Sequence, residues 1–387
     1  MPDDSASPPS ACPLPEGGMP ALQKLPARSA QLVLKLCAWL ARKGFGRTQA
    51  TSCGAQSRGR SFLLAVSGGA DSCALACLMA YAAPRLGLAL SGLCLDHGLR
   101  PEAAAEAAYA RELCRWLGFA CEVERLDVRG EAARTGQGLE EAARSLRYQA
   151  LERRRRLAGA QWTAVAHHRR DLAEDMLMRL VRGTGWPGLG GMACIDPARR
   201  LVRPLLDEDP LALRAFLASL GVAHCEDPSN RDPAFTRNRV RLDLLPRLKA
   251  ENPKIEESLL SLARLARTDQ AFFQEELDRA LTKTPWQGTP QGLLLPKALL
   301  QDLPRALRLR LYLRALHASG AAGQARASTL FLLDEAWEQG GRPRVFELPG
   351  GAAIHLRRGS VLIAPAPDAG HPRRPAESCQ PCGERGQ

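Results

Sequence analysis

The chain has 387 residues, 45% of them hydrophobic and 24% charged, and this composition excludes a disordered or fibrous protein. No uncharged stretch reaches the ~18 residues of a membrane span, and the first residues lack the basic and apolar segments of a secretory signal, so the sequence predicts a cytoplasmic protein. The net charge of +12 favours a polyanionic partner.

The order of apolar and helical segments predicts the main fold. Residues 1–28 are rich in proline, and apart from a short helix over 32–40 we expect residues 1–58 to be a largely disordered extension. Apolar runs that predict buried strands then alternate with helical segments. The runs are 61–67, 88–97, 120–128, 163–168 and 200–206, and the helical segments are 71–83, 103–117, 139–157 and 172–182. This alternation is typical of an α/β fold with a doubly wound parallel sheet, whose ligands bind beyond the carboxyl ends of the strands.

The second half of the chain predicts a helical linker followed by a smaller α+β domain. Leucines and charges interleave over 251–281, and after this helix short strands follow helical stretches within 293–364. The tail from residue 365 is rich in proline, glycine and arginine, so we expect it to be disordered. The predicted domains are 1–58, 59–249, 250–285, 286–365 and 366–387.

A glycine turn between the first strand and the first helix carries the sharpest motif. It consists of Ser67, Gly68, Gly69, Ala70, Asp71 and Ser72. Glycines let the backbone approach a phosphate, and the free N–H groups and the dipole of a helix start favour negative charge. A carboxylate at Asp71 would repel the phosphate unless a divalent cation lay between them, so the turn predicts a Mg²⁺ ligand at Asp71. The alternative is a plain βα turn capped by the aspartate.

The turn resembles the SGGxDS loop with which the N-type ATP pyrophosphatases hold the pyrophosphate end of ATP. Further stretches resemble the tRNA(Ile)-lysidine synthetase family within that superfamily, namely 95–103 (LDHGLRPEA), 140–151, 166–192, 203–206 and 226–248. The resemblance implies a Rossmann-like catalytic domain over 59–249 and a tRNA-binding domain over 286–365. It implies ATP and Mg²⁺ as cofactors, and free L-lysine and tRNA(Ile) with a CAU anticodon as substrates. The reaction would join lysine to C2 of the wobble cytidine at tRNA position 34 through an adenylated tRNA, releasing AMP and pyrophosphate.

Acidic residues follow two histidines at the start of the helix after the fourth strand. Asp171 and Glu174 are three residues apart and share a helical face. A lysine ε-amine has a pKa of about 10.4 and must lose a proton before it attacks. The resemblance places Asp171 and Glu174, with His167, near this amine and the α-phosphate. Carboxylates that cap the helix beside a half-buried histidine are the alternative.

The resemblance assigns four arginines to the site. Arg237 and Arg241 match the family pattern RNxxR and are expected in the active site, whereas Arg144 and Arg147 match ARxxRY and are expected to bind ATP or nucleic acid. The four consecutive arginines at 153–156 are instead expected to form a solvent-exposed helix face, as runs of like charge usually do.

The chain departs from the family pattern HHxDDQxET at three positions, with Arg170, Leu172 and Asp175. These departures keep open a tRNA-binding paralogue that has lost catalysis. A second alternative is a tRNA thiolase, which adenylates a base in the same way but needs reactive cysteines, and the cysteines near the loop are expected to be buried. The oligomeric state stays open, with a homodimer as one alternative.

Overall fold

A computed structural model describes residues 14–46, 60–98, 103–225, 232, 235–321, 326–340 and 342–365 of the chain. The chain divides into two compact units, Met1–Arg264 and Leu265–Gln387. The boundary between these units lies inside a single helix, Ile255–Lys283. The sequence-based domain boundaries stay predictions. A helix long and apolar enough to cross a membrane is absent from the described residues.

The first unit contains a six-stranded sheet flanked by helices. Its helices are α1 (Ala27–Arg42), α2 (Ala70–Leu86), α3 (Ala103–Trp116), α4 (Val128–Thr135), α5 (Leu139–Leu157), α6 (Arg169–Val181), α7 (Pro210–Leu220), α8 (Thr236–Arg239), α9 (Leu245–Glu251) and the first part of α10 (Ile255–Lys283). Its strands are β1 (Ser61–Ala65), β2 (Ala89–Asp96), β3 (Cys121–Arg125), β4 (Trp162–Ala164), β5 (Ile195–Asp196) and β6 (Leu201–Val202). The strand order β3-β2-β1-β4-β6-β5 confirms the predicted doubly wound sheet, which is parallel except for β5.

The order of the strands determines where a ligand can bind. The chain runs outward from β1 to β2 and β3, then returns to place β4 on the other side of β1. The carboxyl ends of β1 and β4 therefore flank the point where the strand order reverses, and open α/β sheets bind their ligands in this crevice. The glycine turn follows β1 and the two histidines follow β4, so both predicted motifs meet here.

The helix α2 fixes the glycine turn rigidly beneath this crevice. Twelve of its residues, including the run from Ala74 to Met79, are buried among β1, α1, α3 and α7. Alanine and cysteine dominate this face and allow close packing against the sheet. The start of α2 is thus held by a continuous apolar core.

The short helix expected over 32–40 is present, but the prediction that the rest of 1–58 is largely disordered is wrong for residues 14–31 and 41–46. Residues 14–46 contain α1, whose side chains Val33, Leu36 and Leu40 are at most 4% exposed and join the main core. The apolar residues recur every three or four positions, which gives an amphipathic helix an apolar stripe to bury. Residues 1–13 and 47–59, and the tail predicted for 366–387, lie outside the described residues.

The second unit packs three helices on an antiparallel sheet, as the predicted smaller α+β domain requires. Its helices are α11 (Lys297–Gln301), α12 (Arg305–Ala318) and α13 (Ala327–Glu338), besides the end of α10, and its strands are β7 (Gln287–Thr289), β8 (Gly292–Pro296), β9 (Arg344–Glu347), β10 (Ala353–Arg357) and β11 (Ser360–Ala364). The strand order is β7-β8-β11-β10-β9. The hairpin β7–β8 precedes the helices, whereas the sequence predicted strands only after them.

Candidate active site

The glycine turn connects β1 to α2 through a local hydrogen-bond network. The Ser72 hydroxyl donates to the Gly69 carbonyl at 2.9 Å and accepts from the backbone N–H of Ser67 at 3.1 Å. Gly68 has a φ of +82°, which favours glycine, and a Cβ at this position would lie 3.3 Å from the carbonyl oxygen of Glu106. The turn therefore has a fixed shape, with the start of α2 directed into the crevice.

Asp71 connects this turn to the histidines after β4. Its side chain is 40% exposed, and its Oδ2 lies 3.3 Å from Nε2 of His168. His168 caps α6, with Nδ1 accepting from the backbone N–H of Asp171 at 3.3 Å. Burial lowers the pKa of His168, but the hydrogen bond to Asp71 and the neighbouring carboxylates outweigh it, so the pKa is raised. His168 thus connects the glycine turn, residues 67–72, to the acidic start of α6. The sequence did not predict this contact.

Asp171 and Glu174 form a compact ion-pair network with two arginines from α8 and the turn after it. Nε of Arg237 donates to Glu174 at 2.7 Å, and its Nη2 donates to Asp171 at 2.6 Å. Nε of Arg241 donates to the other Glu174 oxygen at 2.6 Å. Burial raises the pKa of Asp171, but the charges of His168 and Arg237 hold it lower, at about 2. Four of the predicted catalytic residues therefore lie in direct contact.

The backbone that carries these arginines is irregular. The short helix α8 passes directly into a π-helical turn, Val240–Leu244, before α9 begins. π-Helical turns are rare and occur often at functional sites. Here the turn carries Arg241, while α8 carries Arg237, and both side chains converge on the acids of α6.

His167 lies beside the network, and its Nδ1 already accepts a hydrogen bond. Its Nδ1 accepts from Nε of Arg203 at 3.1 Å, and burial together with nearby arginines lowers its pKa to about 3. The ring is neutral with its proton on Nε2. Arg203 is 5% exposed and also donates to the carbonyl of Ala193 at 2.7 Å. Arg203 lies in the matching stretch 203–206, for which the sequence predicts no role, and its position after β6, the neighbour of β4, places it beside the histidine.

A cavity of about 310 Å³ opens beside His167. Tyr148 contributes an aromatic wall, with the guanidinium groups of Arg144 and Arg199 at 5.5 and 5.2 Å from the centre of its ring. The other lining residues are Asp175, Arg179, Gly191, Met192, Ala193, Ile195, Asp196, Pro197 and Arg203. Planar aromatic and guanidinium groups with a few polar atoms suit a nucleobase or another polar organic ligand.

The two arginines predicted on α5 take different places. Arg144 is exposed and lines the cavity over Tyr148. Arg147 is half-buried, and burial together with the charges of Arg144 and Arg237 lowers its pKa. Its electrostatic interactions with Arg237 and Asp171 place Arg147 within range of the ion-pair network, where a guanidinium group suits an anionic ligand.

The three departures from the family pattern are accommodated around the network. Nε of Arg170 donates to Glu256 at 3.0 Å, so this arginine pairs with α10. Leu172 is fully buried in an apolar cluster with Met176, Leu206 and Leu260. Asp175 accepts from Arg179 at 2.9 Å and lines the cavity. The contacts of Asp71 with His168 and of Asp171 and Glu174 with Arg237 thus exist despite the substitutions.

The residues present fit a Mg²⁺ ion that is held jointly with substrate phosphates. Clusters of three or more metal-ligating side chains are absent from the described part of the chain. Mg²⁺ is commonly held by one or two carboxylates plus phosphate oxygens and water. Asp71, a half-exposed carboxylate in the phosphate loop, is the group that would hold it.

Comparisons with known proteins show the family of this chain. A model of the PP-loop domain matches residues 46–248. The chain is similar to the tRNA(Ile)-lysidine synthase of Nitratidesulfovibrio vulgaris, with 43% identity over 322 residues that cover 79% of this chain and 92% of that protein. The synthase of Bradyrhizobium diazoefficiens is 38% identical over 330 residues, covering 79% of this chain and 90% of that protein.

Among solved structures, the U34-tRNA thiolase NcsA from Methanococcus maripaludis aligns with a TM-score of 0.47 and 17% identity, covering 61% of this chain and 80% of that one. The family model covers more than half of the chain, and the curated relatives are matched over nearly their full length. The chain belongs to the PP-loop domain family and, within it, to the tRNA(Ile)-lysidine synthases.

Proposed function

We propose that this protein is an ATP-dependent ligase that joins free L-lysine to C2 of the wobble cytidine of tRNA(Ile). The observation that carries the proposal is the contact between the phosphate loop and the acidic start of α6, made by Asp71 and His168 at 3.3 Å. It joins a nucleotide-binding turn to a cluster of charged groups within one crevice. Family membership supplies the tRNA substrate, and the PP-loop domain supports the use of ATP.

The chemistry has two steps. The cytidine O2 attacks the α-phosphate of ATP, pyrophosphate leaves, and C2 becomes electrophilic. The lysine amine then attacks C2, and AMP leaves. The wobble nucleotide lies in a loop of the tRNA, so it can leave its stack at little cost and enter a pocket.

The residues of the crevice have distinct tasks in this proposal. The turn from Ser67 to Ser72 and the start of α2 hold the phosphates, and Asp71 would hold a Mg²⁺ that neutralises phosphate charge. Arg237, Arg241 and Arg147 bring positive charge to the reacting phosphate. The cavity between His167 and Tyr148, with Arg144 at its edge, has the size and lining for a flipped base or for lysine.

A transfer assay tests the proposed function directly. The protein is incubated with ATP, labelled lysine and total tRNA, and we expect label to enter tRNA while AMP and pyrophosphate are released. Mass analysis of the modified cytidine should show a gain of one lysine less one water. A mass change for exchange of oxygen by sulfur would support a thiolase instead, and binding of tRNA without any ATP turnover would support a paralogue that has lost catalysis.

The burial of Cys73, Cys77 and Cys94 does not favour the thiolase alternative. Cys73 and Cys77 on α2 are fully buried, and Cys94 on β2 is 3% exposed. Burial raises the pKa of Cys77 and of Cys94 to about 12. A sulfur carrier needs an accessible thiolate, so these cysteines do not suit that role.

The arginine run on α5 is expected to contribute little to tRNA binding. Arg153 and Arg154 pair with Glu124 and Glu122 on β3, and Arg155 and Arg156 pair with Glu152 at 2.8 and 2.6 Å. Each phosphate that a protein neutralises adds roughly −0.7 to −0.9 to the slope of log affinity against log salt. Replacing all four arginines of 153–156 by glutamine should therefore change the slope of log affinity against log salt by less than about one unit. Filter binding of tRNA over a salt series measures it, and a change of about three units would contradict the expectation.

A further inference from the structure

Three large apolar side chains are exposed at the end of α6 and in the loop that leads to β5. Leu180 is 59% exposed, Val181 is 69% exposed and Trp186 is 41% exposed. Single exposed apolar side chains are common, but three within 180–186 form a patch, and such patches mark interaction sites. These three side chains, the α6 patch, have no task in the reaction described above.

The loop that carries Trp186 is held to the wall of the cavity beside His167. Arg179 lines this cavity, and its Nη1 donates to the carbonyl of Gly188 at 3.3 Å. The backbone N–H of Thr184 donates to the Arg179 carbonyl at 2.9 Å, so the loop is tied to Arg179 on both sides of Trp186. The loop then continues into Gly191, which also lines the cavity. The segment that carries the indole ring is therefore part of the rim of the cavity.

The charges around the α6 patch favour a polyanion. The segment 176–195 contains Arg179 and Arg182 and no acidic residue. Arg182 is exposed, and so is Arg199, whose guanidinium group lies over the Tyr148 ring in the same cavity. Apolar and aromatic surface between guanidinium groups fits single-stranded RNA, because its phosphates are anionic and its unstacked bases have flat faces that stack on aromatic rings.

The proposed reaction exposes such a face at this rim. When the wobble base leaves its stack and enters the crevice, the base next to it loses a stacking partner, while its own nucleotide stays outside. An aromatic side chain at the rim can replace the lost partner. Stacking of one base on an aromatic ring is worth roughly 5- to 150-fold in affinity, so one tryptophan is enough to hold the opened loop.

We infer that Trp186 stacks on the base adjacent to the wobble cytidine and so holds the anticodon loop open at the active site. Leu180 and Val181 extend the apolar surface beside the ring, and Arg182 contacts a neighbouring phosphate. The inference rests on the proposed function and adds a binding residue for its tRNA substrate.

The experiment measures binding of tRNA(Ile) to the full-length protein and its variants. We expect Trp186→Ala and Trp186→Leu each to weaken binding by roughly 5- to 150-fold, because both lack a ring, and Trp186→Phe to lose less than about 5-fold. Two further tRNAs each lack the base on one side of the wobble cytidine. One of them should bind the wild type more weakly by the same factor but bind Trp186→Ala like intact tRNA, because base and ring form a single contact.

Three readouts separate stacking from a general loss of structure. The KM for ATP and for lysine should stay unchanged in Trp186→Ala. The slope of log affinity against log salt should also stay unchanged in this variant, whereas Arg182→Gln should flatten it by about one unit. The matched control is Val123→Ala, since Val123 is 42% exposed on β3, at the opposite edge of the sheet from β5. This control should bind tRNA like the wild type.

Equal tRNA affinity in the wild type and in Trp186→Ala would overturn the inference, provided that the wild type transfers lysine. Independent losses from the variant and from both base deletions would also contradict it. A change in oligomeric state with unchanged tRNA affinity would mean that the α6 patch contacts a second copy of the chain. If Trp186→Ala fails to fold, the difference between Trp186→Leu and Trp186→Phe decides. A wild-type protein that binds tRNA but transfers no lysine would refute the proposed function itself, and the dependence of binding on Trp186 is measured separately.

Discussion

Replacing Asp71 by Asn is expected to abolish turnover and to leave the fold intact. The side chain is 40% exposed, and the Oδ1 of an asparagine can still accept a hydrogen bond from Nε2 of the buried His168. The amide has nearly the same volume but is a poor ligand for Mg²⁺, which a carboxylate binds together with phosphate oxygens. A metal ion stabilises transition-state charge by several kcal/mol, so we expect the rate to fall by on the order of 1000-fold. Release of AMP and pyrophosphate with tRNA and lysine present measures it.

The control for this prediction is Asp127→Asn. Asp127 caps α4, where it accepts from the backbone N–H of Gly130 at 2.9 Å, and asparagine caps a helix about as well as aspartate. The control should keep its activity, and both variants should unfold at the wild-type temperature. Appearance of ADP in place of AMP in the wild-type reaction would contradict cleavage between the α- and β-phosphates.

The sheet was predictable because its signal is local. The apolar runs 61–67 and 88–97 are bounded by turns and separated by a helical segment, and they became β1 and β2 with small changes at their ends. The run 200–206 yielded only the two residues Leu201–Val202 of β6, because strand length depends on how far the neighbouring β4 extends. Pairing partners lie far apart in sequence, and periodicity alone does not reveal them.

The helix α1 shows why a prediction from local composition alone can fail. The prolines before residue 28 predict disorder, and only a short helix over 32–40 was expected. The structure extends this helix over Ala27–Arg42, where Leu36 and Leu40 pack into the main core. Burial of that apolar stripe offsets the conformational entropy of ordering the segment, and it depends on a surface built by distant elements.

The site was predictable in its members but not in its connections. Resemblance and helical spacing assigned Asp171, Glu174, Arg237 and Arg241 to the active site, and the structure brings these residues together. The spacing did not reveal that the arginines would occupy the acids, since they come from a segment more than 60 residues further along the chain. His168 was also missed, because its bridge to Asp71 needs the adjacency of β1 and β4.

Gly68→Ala tests whether the shape of the phosphate loop matters for ATP. Gly68 has a φ of +82°, and a Cβ there would lie 3.3 Å from the Glu106 carbonyl oxygen and 3.5 Å from the Cys225 sulfur. The left-handed conformation costs an alanine about 1–2 kcal/mol, and the crowding would also displace the backbone that faces the phosphates. A displacement of about 1 Å at a reacting group can cost roughly 100-fold in rate, so we expect a loss of that size in kcat/KM for ATP.

The matched control is Gly118→Ala. Gly118 has a φ of +87°, and a Cβ there would meet no atom within 4 Å. It therefore imposes the same backbone strain of about 1–2 kcal/mol on the first unit without crowding the loop. Thermal unfolding should show similar destabilisation for both variants, whereas only Gly68→Ala should lose ATP turnover. Equal losses of turnover in the two variants would mean that strain alone lowers activity, and the shape of the loop would then have no specific role in holding the phosphates.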